Sequence, residues 1–377
     1  MNFEFPPEIM QMKDEARRVF HDSEALRGAR SVLVGETSYD KSLWLKLAEL
    51  GFLGAAIPEA YGGAGAGELA LCVLAEEAGR CVASVPLLST VYLAADMICR
   101  HATNALRARV LPEIAAGRMI VGVVERSEKP ATHVSPIWQD GSLSGVAAPV
   151  LDGGVADAYI VEARDASAGQ KSTLIFLERG AAGVRVEDVT TIDPSRPQSR
   201  LLLDSAPGVV LGDPDEGRTL LDAACDKAAV LLAFEQLGGA ERALEMAKAY
   251  ALERWAFGRQ IGSFQAIKHK LVDMYVAVTL ARANAYYAAW ALETNAPELA
   301  QAASIARISA TDAFQLCSKE NIQIHGGFGF TWDADCHLLY RRSSLLALTL
   351  RGGRYWRDRL IGAVRASNVP LETVSSH

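Results

Sequence analysis

Ala251-Leu252-Glu253-Arg254-Trp255-Ala256-Phe257-Gly258-Arg259-Gln260-Ile261-Gly262-Ser263-Phe264-Gln265-Ala266-Ile267-Lys268-His269 is the stretch on which the fold turns. A helical run is expected to end near Phe257-Gly258, and a new helix to begin around Ser263, whose hydroxyl suits an N-cap. The connection gathers Arg254, Arg259, a helix N-terminus and Gln265, the kinds of donor that hold a phosphate. On spacing alone, a helix–helix connection with solvated arginines fits equally well. A second stretch, Gln323-Ile324-His325-Gly326-Gly327-Phe328-Gly329-Phe330-Thr331-Trp332-Asp333, puts three glycines in four positions. Backbone can there approach a ligand and expose N–H groups, though a tight turn between helices would look the same.

Outward from these stretches, the texture changes twice. Residues 7 to about 120 are rich in Ala, Leu, Glu and Arg, with helical spacing in Glu68–Ala78 and Thr103–Ile114. Ile57-Pro58-Glu59-Ala60-Tyr61-Gly62-Gly63 breaks that run as a loop. From Ile120 to about Pro214 come short β-rich runs cut by Gly, Asp and Pro, among them Ile120–Val124, Ala158–Glu162, Thr173–Leu177 and Val184–Val186. After Glu216 the chain reads as helical almost to its end, with Gly262, Pro297 and Gly326-Gly327 as the main interruptions. The class is α+β, mainly α, because helices and strands are segregated rather than alternating. Three domains are expected: residues 1–119, helical; 120–215, a small β domain; and 216–377, a long helical bundle. Asn368–His377 is polar and expected to fray.

Half of the 377 residues are apolar and 22% are charged, as in an ordinary globular protein. The net charge of −7 gives no basic signal for nucleic acid, so an anionic ligand needs local arginines, lysines or backbone donors. No uncharged apolar stretch reaches the length of about 18 residues that a membrane span requires. The six cysteines are scattered, without a C-x-x-C pair, and read as small core residues of a reduced compartment. With no basic-then-apolar leader after Met1, a cytoplasmic location is expected.

Together the two stretches resemble the acyl-CoA dehydrogenase family. That family carries E-R-x-x-F-G-x-x-I-x-x-F-Q-x-x-x-H and then Q-x-H-G-G-x-G-[FM]-T-W, and both occur here in order and at the usual separation. Gly51-Phe52-Leu53-Gly54-Ala55-Ala56-Ile57-Pro58-Glu59-Ala60-Tyr61-Gly62-Gly63 is similar to its G-L-x-G-x-x-x-P-E-x-Y-G-G, with Phe52 in place of Leu. The resemblance spans nearly the whole chain. It implies an N-terminal helical domain, a central small β-barrel and a C-terminal four-helix bundle. It also implies FAD at a subunit interface, where Arg254, Phe257, Ile261, Gln265, Gln323, Gly326 and Gly327 would hold the adenosine–pyrophosphate half of a neighbour's cofactor. The implied reaction is α,β-dehydrogenation of an acyl-CoA thioester, in fatty acid or steroid side-chain catabolism, with electron-transfer flavoprotein as acceptor.

Three departures qualify what this chain does. The family's [ST]-E-P-x-A-G-S-D loop is represented by Glu125-Arg126-Ser127-Glu128-Lys129-Pro130-Ala131-Thr132-His133, without the glycine and serine. Its W-[IV]-[ST]-[NS] run, which faces the flavin ring, corresponds to Gly145-Val146-Ala147-Ala148-Pro149-Val150-Leu151-Asp152, which has neither Trp nor hydroxyl. The family's two positions for the catalytic Glu fall on Leu350 and Ala228. Glu235 is the carboxylate to weigh as a substitute. It continues the stripe Leu221, Cys225, Ala228, Leu232 at helical spacing, two turns or roughly 10 Å beyond Ala228. The competing role is a buried pair with an arginine such as Arg242 or Arg342. His325 reads as shaping its turn, and His269 as a helix-surface or bundle-packing residue. Three functions remain open: one subunit of a heteromeric enzyme, a heterotetramer in which this chain completes a homologous partner's FAD site; a self-sufficient homotetramer with an unconventional base; or a non-catalytic binding protein on this fold.

Overall fold

The computed structural model describes residues 3–124, 136–166 and 171–367. Glu125–His133 and the terminal Asn368–His377 lie outside the described residues. The N-terminal part comprises α1 (Pro7–Asp22), α2 (Ala25–Leu33), α3 (Lys41–Glu49), α4 (Glu68–Arg80), α5 (Ala95–His101) and α6 (Asn104–Ala115). Two starts are capped by side chains. The Asp40 carboxylate accepts from Leu43 N at 3.0 Å, and Thr103 Oγ1 accepts from Leu106 N at 3.3 Å. Leu87–Ala94, every residue of it buried, winds as a π-helix into α5 and lies against the sheet and the bundle at once.

The central strands are β1 (Val121–Val124), β2 (Ile137–Gln139), β3 (Ser142–Leu151), β4 (Ala158–Asp165), β5 (Ser172–Glu178), β6 (Val184–Val189), β7 (Gln198–Pro207) and β8 (Val209–Leu211). They form one sheet in the order β6-β7-β3-β1-β4-β5-β8. β1 and β2 fill the same gap between β3 and β4, one after the other, each antiparallel to β3 and parallel to β4. The alternation of buried and exposed residues along β7 turns one face to the core, whereas β4 and β5, covered on both faces, are buried almost throughout.

The C-terminal part holds α7 (Gly217–Glu253), α8 (Gln265–Glu293), α9 (Leu299–His325), α10 (Cys336–Leu346) and α11 (Gly353–Ser367). α7, about 55 Å long, is the axis. It packs on α4, α8, α9 and α10, so residues 226–240 are buried all round and carry no single polar face. α4 and α7 touch backbone to backbone: a Cβ on Gly79 would stand 1.8 Å from Glu235 O, and one on Gly238 would stand 1.9 Å from Glu76 O. Helix–sheet–helix order follows the expectation; the detail after α7 does not. α7 stops at Glu253, and β9 (Trp255–Ala256) and β10 (Arg259–Gln260) form a small hairpin whose tip is Phe257-Gly258. Ser263 is not a cap. Its hydroxyl donates to Gln260 O at 2.7 Å, and α8 starts two residues later behind Phe264, without a side-chain cap.

Candidate cofactor groove and active site

The hairpin and the glycine turn come together. A groove of about 620 Å³ runs between the end of α7, the hairpin and the end of α9, and Arg254, Ile261, Gly326 and Gly327 line it. Tyr250 and His325 form its floor as stacked rings 4.2 Å apart. His325 is fixed by a 2.8 Å contact between Nδ1 and Asn321 O, which makes it a turn-shaping residue. Gly326 adopts φ +61°, and a Cβ on either Gly326 or Gly327 would meet nothing within 4 Å, so the turn presents bare backbone to the groove. Arg254 is exposed, and among the described residues its guanidinium has no hydrogen bond or ion pair. Phe257 is 95% exposed at the hairpin tip. Gln265 and Gln323 are exposed at the start of α8 and in the last turn of α9, beside the lining rather than in it. His269 is exposed on α8.

This donor set fits the phosphate-bearing half of a dinucleotide: a free arginine, backbone N–H groups without side chains in the way, and an exposed aromatic ring beside them. At the place expected for the flavin ring, between β3 and the turn at Leu350, the described residues pack closely. Ala147 and Val150 are fully buried, and Leu350 is 3% exposed. Two gaps flank the turn among the described residues: one beside Leu93, Val124, Cys225 and Leu350, the other beside Leu88, Leu151, Asp152 and Thr349. Each measures about 10 Å³, scarcely room for a water. The turn is also clamped. Arg307, fully buried, donates to Leu346 O and Thr349 O, Trp356 Nε1 donates to Leu350 O at 3.1 Å, and Arg351 pairs with Asp222.

Glu235 lies in a buried ionic cluster where the sheet, the π-helical stretch, α7 and α10 meet. Arg196 donates to Glu235 Oε1 at 2.6 Å, and Arg342 reaches the same oxygen at 3.5 Å. Arg342 also donates to Asp193 at 2.8 Å, to Ser195 Oγ at 2.9 Å and to Ala83 O at 3.0 Å. Of the two arginines weighed as partners, Arg342 is the one present, whereas Arg242 faces Glu245 at 3.7 Å. Burial works to raise the Asp193 carboxyl, but Arg342 and Ser195 outweigh it and hold that carboxyl below its usual range. Burial pushes Asp152 up, against Arg196 and against the Ser89 hydroxyl that donates to it at 2.6 Å. Glu235 Oε2, Arg196 Nε and Tyr92 OH have no partner among the described residues. The cluster's β-domain members were not singled out from the sequence. Their signal is Asp193-Pro194-Ser195-Arg196-Pro197, charges bracketed by prolines between two strands.

A cavity of about 260 Å³ lies apart from both places, between α4, α5, α7 and the Leu53–Ile57 loop. Lys227, one residue before Ala228, lines it with Glu68, Asp96 and Arg100. The described residues contain no group of three or more His, Cys, Asp or Glu able to hold a metal. No described helix is long and apolar enough to cross a membrane.

Comparison with known proteins gives a consistent picture. The models of the acyl-CoA dehydrogenase N-terminal and C-terminal domains match residues 6–118 and 215–352. The chain is 34% identical to acyl-CoA dehydrogenase IpdE2 of Mycobacterium tuberculosis, over 94% of this chain and 97% of that one. A variant of the Tcur3481-Tcur3483 steroid ACAD has a TM-score of 0.86 at 31% identity, covering 96% of this chain and 98% of its own. The ChsE4-ChsE5 complex from M. tuberculosis has a TM-score of 0.88 at 26% identity, covering 98% and 100%.

Proposed function

This chain belongs to the acyl-CoA dehydrogenase family of FAD-dependent oxidoreductases, and we propose that it acts as the cofactor-completing subunit of a heteromeric acyl-CoA dehydrogenase. In such an enzyme a homologous partner holds the flavin ring and the catalytic base. This chain extends the groove of Arg254, Ile261, Gly326 and Gly327 over the pyrophosphate and adenosine of that same FAD. Phe257, Gln265 and Gln323 flank it. Bound FAD supplies the hydride acceptor for α,β-dehydrogenation of an acyl-CoA. What this chain supplies is the positive charge of Arg254, the backbone donors of the glycine turn and a wall that keeps water from the phosphates.

The observation that carries the proposal is the division between the two halves. The neighbour-facing groove is open and carries an arginine with no partner of its own among the described residues, whereas at the ring-facing place Ala147, Val150 and a clamped Leu350 are buried. Two of the similar structures carry paired-subunit names, Tcur3481-Tcur3483 and ChsE4-ChsE5, which accords with a two-chain enzyme. Glu235, the base candidate, takes a structural role in this proposal, since two arginines already hold it in a buried site. Electron-transfer flavoprotein as acceptor and a cytoplasmic location belong to the same proposal.

The test is the visible spectrum of the chain purified alone and co-expressed with a homologous dehydrogenase subunit. The proposal predicts a colourless chain alone and a yellow complex that an acyl-CoA bleaches. A yellow chain that oxidises an acyl-CoA without a partner would overturn it.

A further inference from the structure

The cavity beside Lys227 is built differently from the groove, and what it offers does not depend on which chain holds FAD. Its walls are apolar, with Leu53, Ile57, Leu71 and Val91 among them. Four charged side chains close one end in alternating sign. Arg100 Nε donates to Asp96 Oδ1 at 2.6 Å, Lys227 Nζ donates to the same oxygen at 3.1 Å, and Arg100 stands 3.7 Å from Glu68. The four charges cancel, so neither an anion nor a cation gains net attraction there.

Two hydrogen-bonding capacities are left over. Glu68 has no hydrogen bond among the described residues, and its nearest cation lies beyond bonding distance. Lys227 spends one of its three N–H groups on Asp96, and its side chain is 11% exposed, so bulk water does not satisfy the rest. Burial and the neighbouring Asp96 push the Glu68 carboxyl up. Water satisfies such an end but not the apolar walls. A molecule with one polar end satisfies both. An apolar cavity of about 150 Å³ takes a benzene ring, so this one has room for a larger body.

We propose that this cavity is a binding site for a small uncharged molecule with an apolar ring or chain and a hydroxyl or carbonyl group, recognised by Glu68 and Lys227. The carbonyl or hydroxyl oxygen accepts from Lys227, a hydroxyl donates to Glu68, and the body lies against Leu53, Ile57 and Leu71. Asp96 and Arg100 orient the two recognising groups and need not touch the ligand.

Ligand-observed saturation-transfer NMR on the full chain, or on its complex with a partner subunit, tests this with cyclohexanol and methylcyclohexane as matched probes. Saturable cyclohexanol binding about tenfold tighter than that of methylcyclohexane is expected, the worth of roughly one satisfied hydrogen bond. Lys227→Met and Glu68→Leu should each abolish that preference while methylcyclohexane binds as well or better. Lys227→Met leaves Asp96 its bond from Arg100 and so keeps a folded control; Glu68→Ala serves if the leucine variant does not fold. The proposal is overturned if neither probe binds, if the two bind equally to the unaltered chain, or if cyclohexanol binding survives both substitutions unchanged.

Discussion

Glu235 illustrates how much a carboxylate's meaning depends on its neighbours. Its position on an apolar helical stripe is compatible with a catalytic base, but Arg196 at 2.6 Å and Arg342 at 3.5 Å hold it in a buried ionic cluster. Removing one member of a buried ion pair strands the other charge and costs about 3–5 kcal/mol. Glu235→Gln is therefore expected to lower stability by about that amount in denaturant titration, while the folded complex keeps its turnover number. Full stability with turnover lost would instead mark Glu235 as the base. Asp152 gives a pH test. Its folded pKa lies above the ordinary 3.8, so the native state holds its proton more tightly and stability falls as pH rises from about 4 through the raised value. Asp193 has the opposite shift, and its contribution is already complete above about pH 4. Asp152→Asn should therefore remove the decline, so that its melting temperature gains on the unaltered protein as pH is raised from 4 to 8. Parallel curves would contradict the assignment.

At the scale of elements, the crossing of α4 and α7 is held by glycines. Gly238→Ala would drive a methyl into Glu76 O, 1.9 Å away, and helix must move from helix. A loss of about 1–3 kcal/mol, read from the denaturation midpoint, is expected. The hairpin at the end of α7 carries the cofactor prediction. Arg254→Ala in the two-chain complex should weaken FAD by about 10- to 150-fold, corresponding to about 1.5–3 kcal/mol for a hydrogen bond to a charged group. Equilibrium dialysis of FAD against the complex measures it, and an unchanged affinity would remove Arg254 from the groove's function. Helices were legible in the sequence because their signals are local. Thr103 caps α6, and the 57–63 loop announces itself by Pro and Gly. The hairpin was not, because two-residue strands leave no periodicity, and Ser263 imitates a cap while its hydroxyl turns back to Gln260. The ionic cluster was hidden for a different reason. A pairing of Glu235 with Arg342 could be weighed from the helical stripe, but Asp193 and Arg196 join them from the β domain, Asp193 across 149 residues of chain, and no local pattern records that meeting.

Across the whole molecule, the order of helical layer, sheet and bundle puts two unlike surfaces on one chain. At the far end of α7 lies the open groove proposed to hold phosphate. Near its start, the sheet, the π-helical stretch and the turn at Leu350 pack together with a gap of only about 10 Å³ between them. The family motifs in the bundle made the first surface readable, and the absence of Trp, hydroxyl and carboxylate at Ala147, Ala148 and Leu350 pointed to the second. How tightly that second place is packed required the fold, because Arg307, Asp222 and Trp356 clamp the turn from three separate helices. The central claim is that the chain lends half a cofactor site and lacks the other half. Flavin-to-protein stoichiometry in the purified two-subunit complex tests it most directly, from flavin absorbance against chain content. One FAD for each pair of unlike chains is the predicted result, and one FAD for every chain would contradict it.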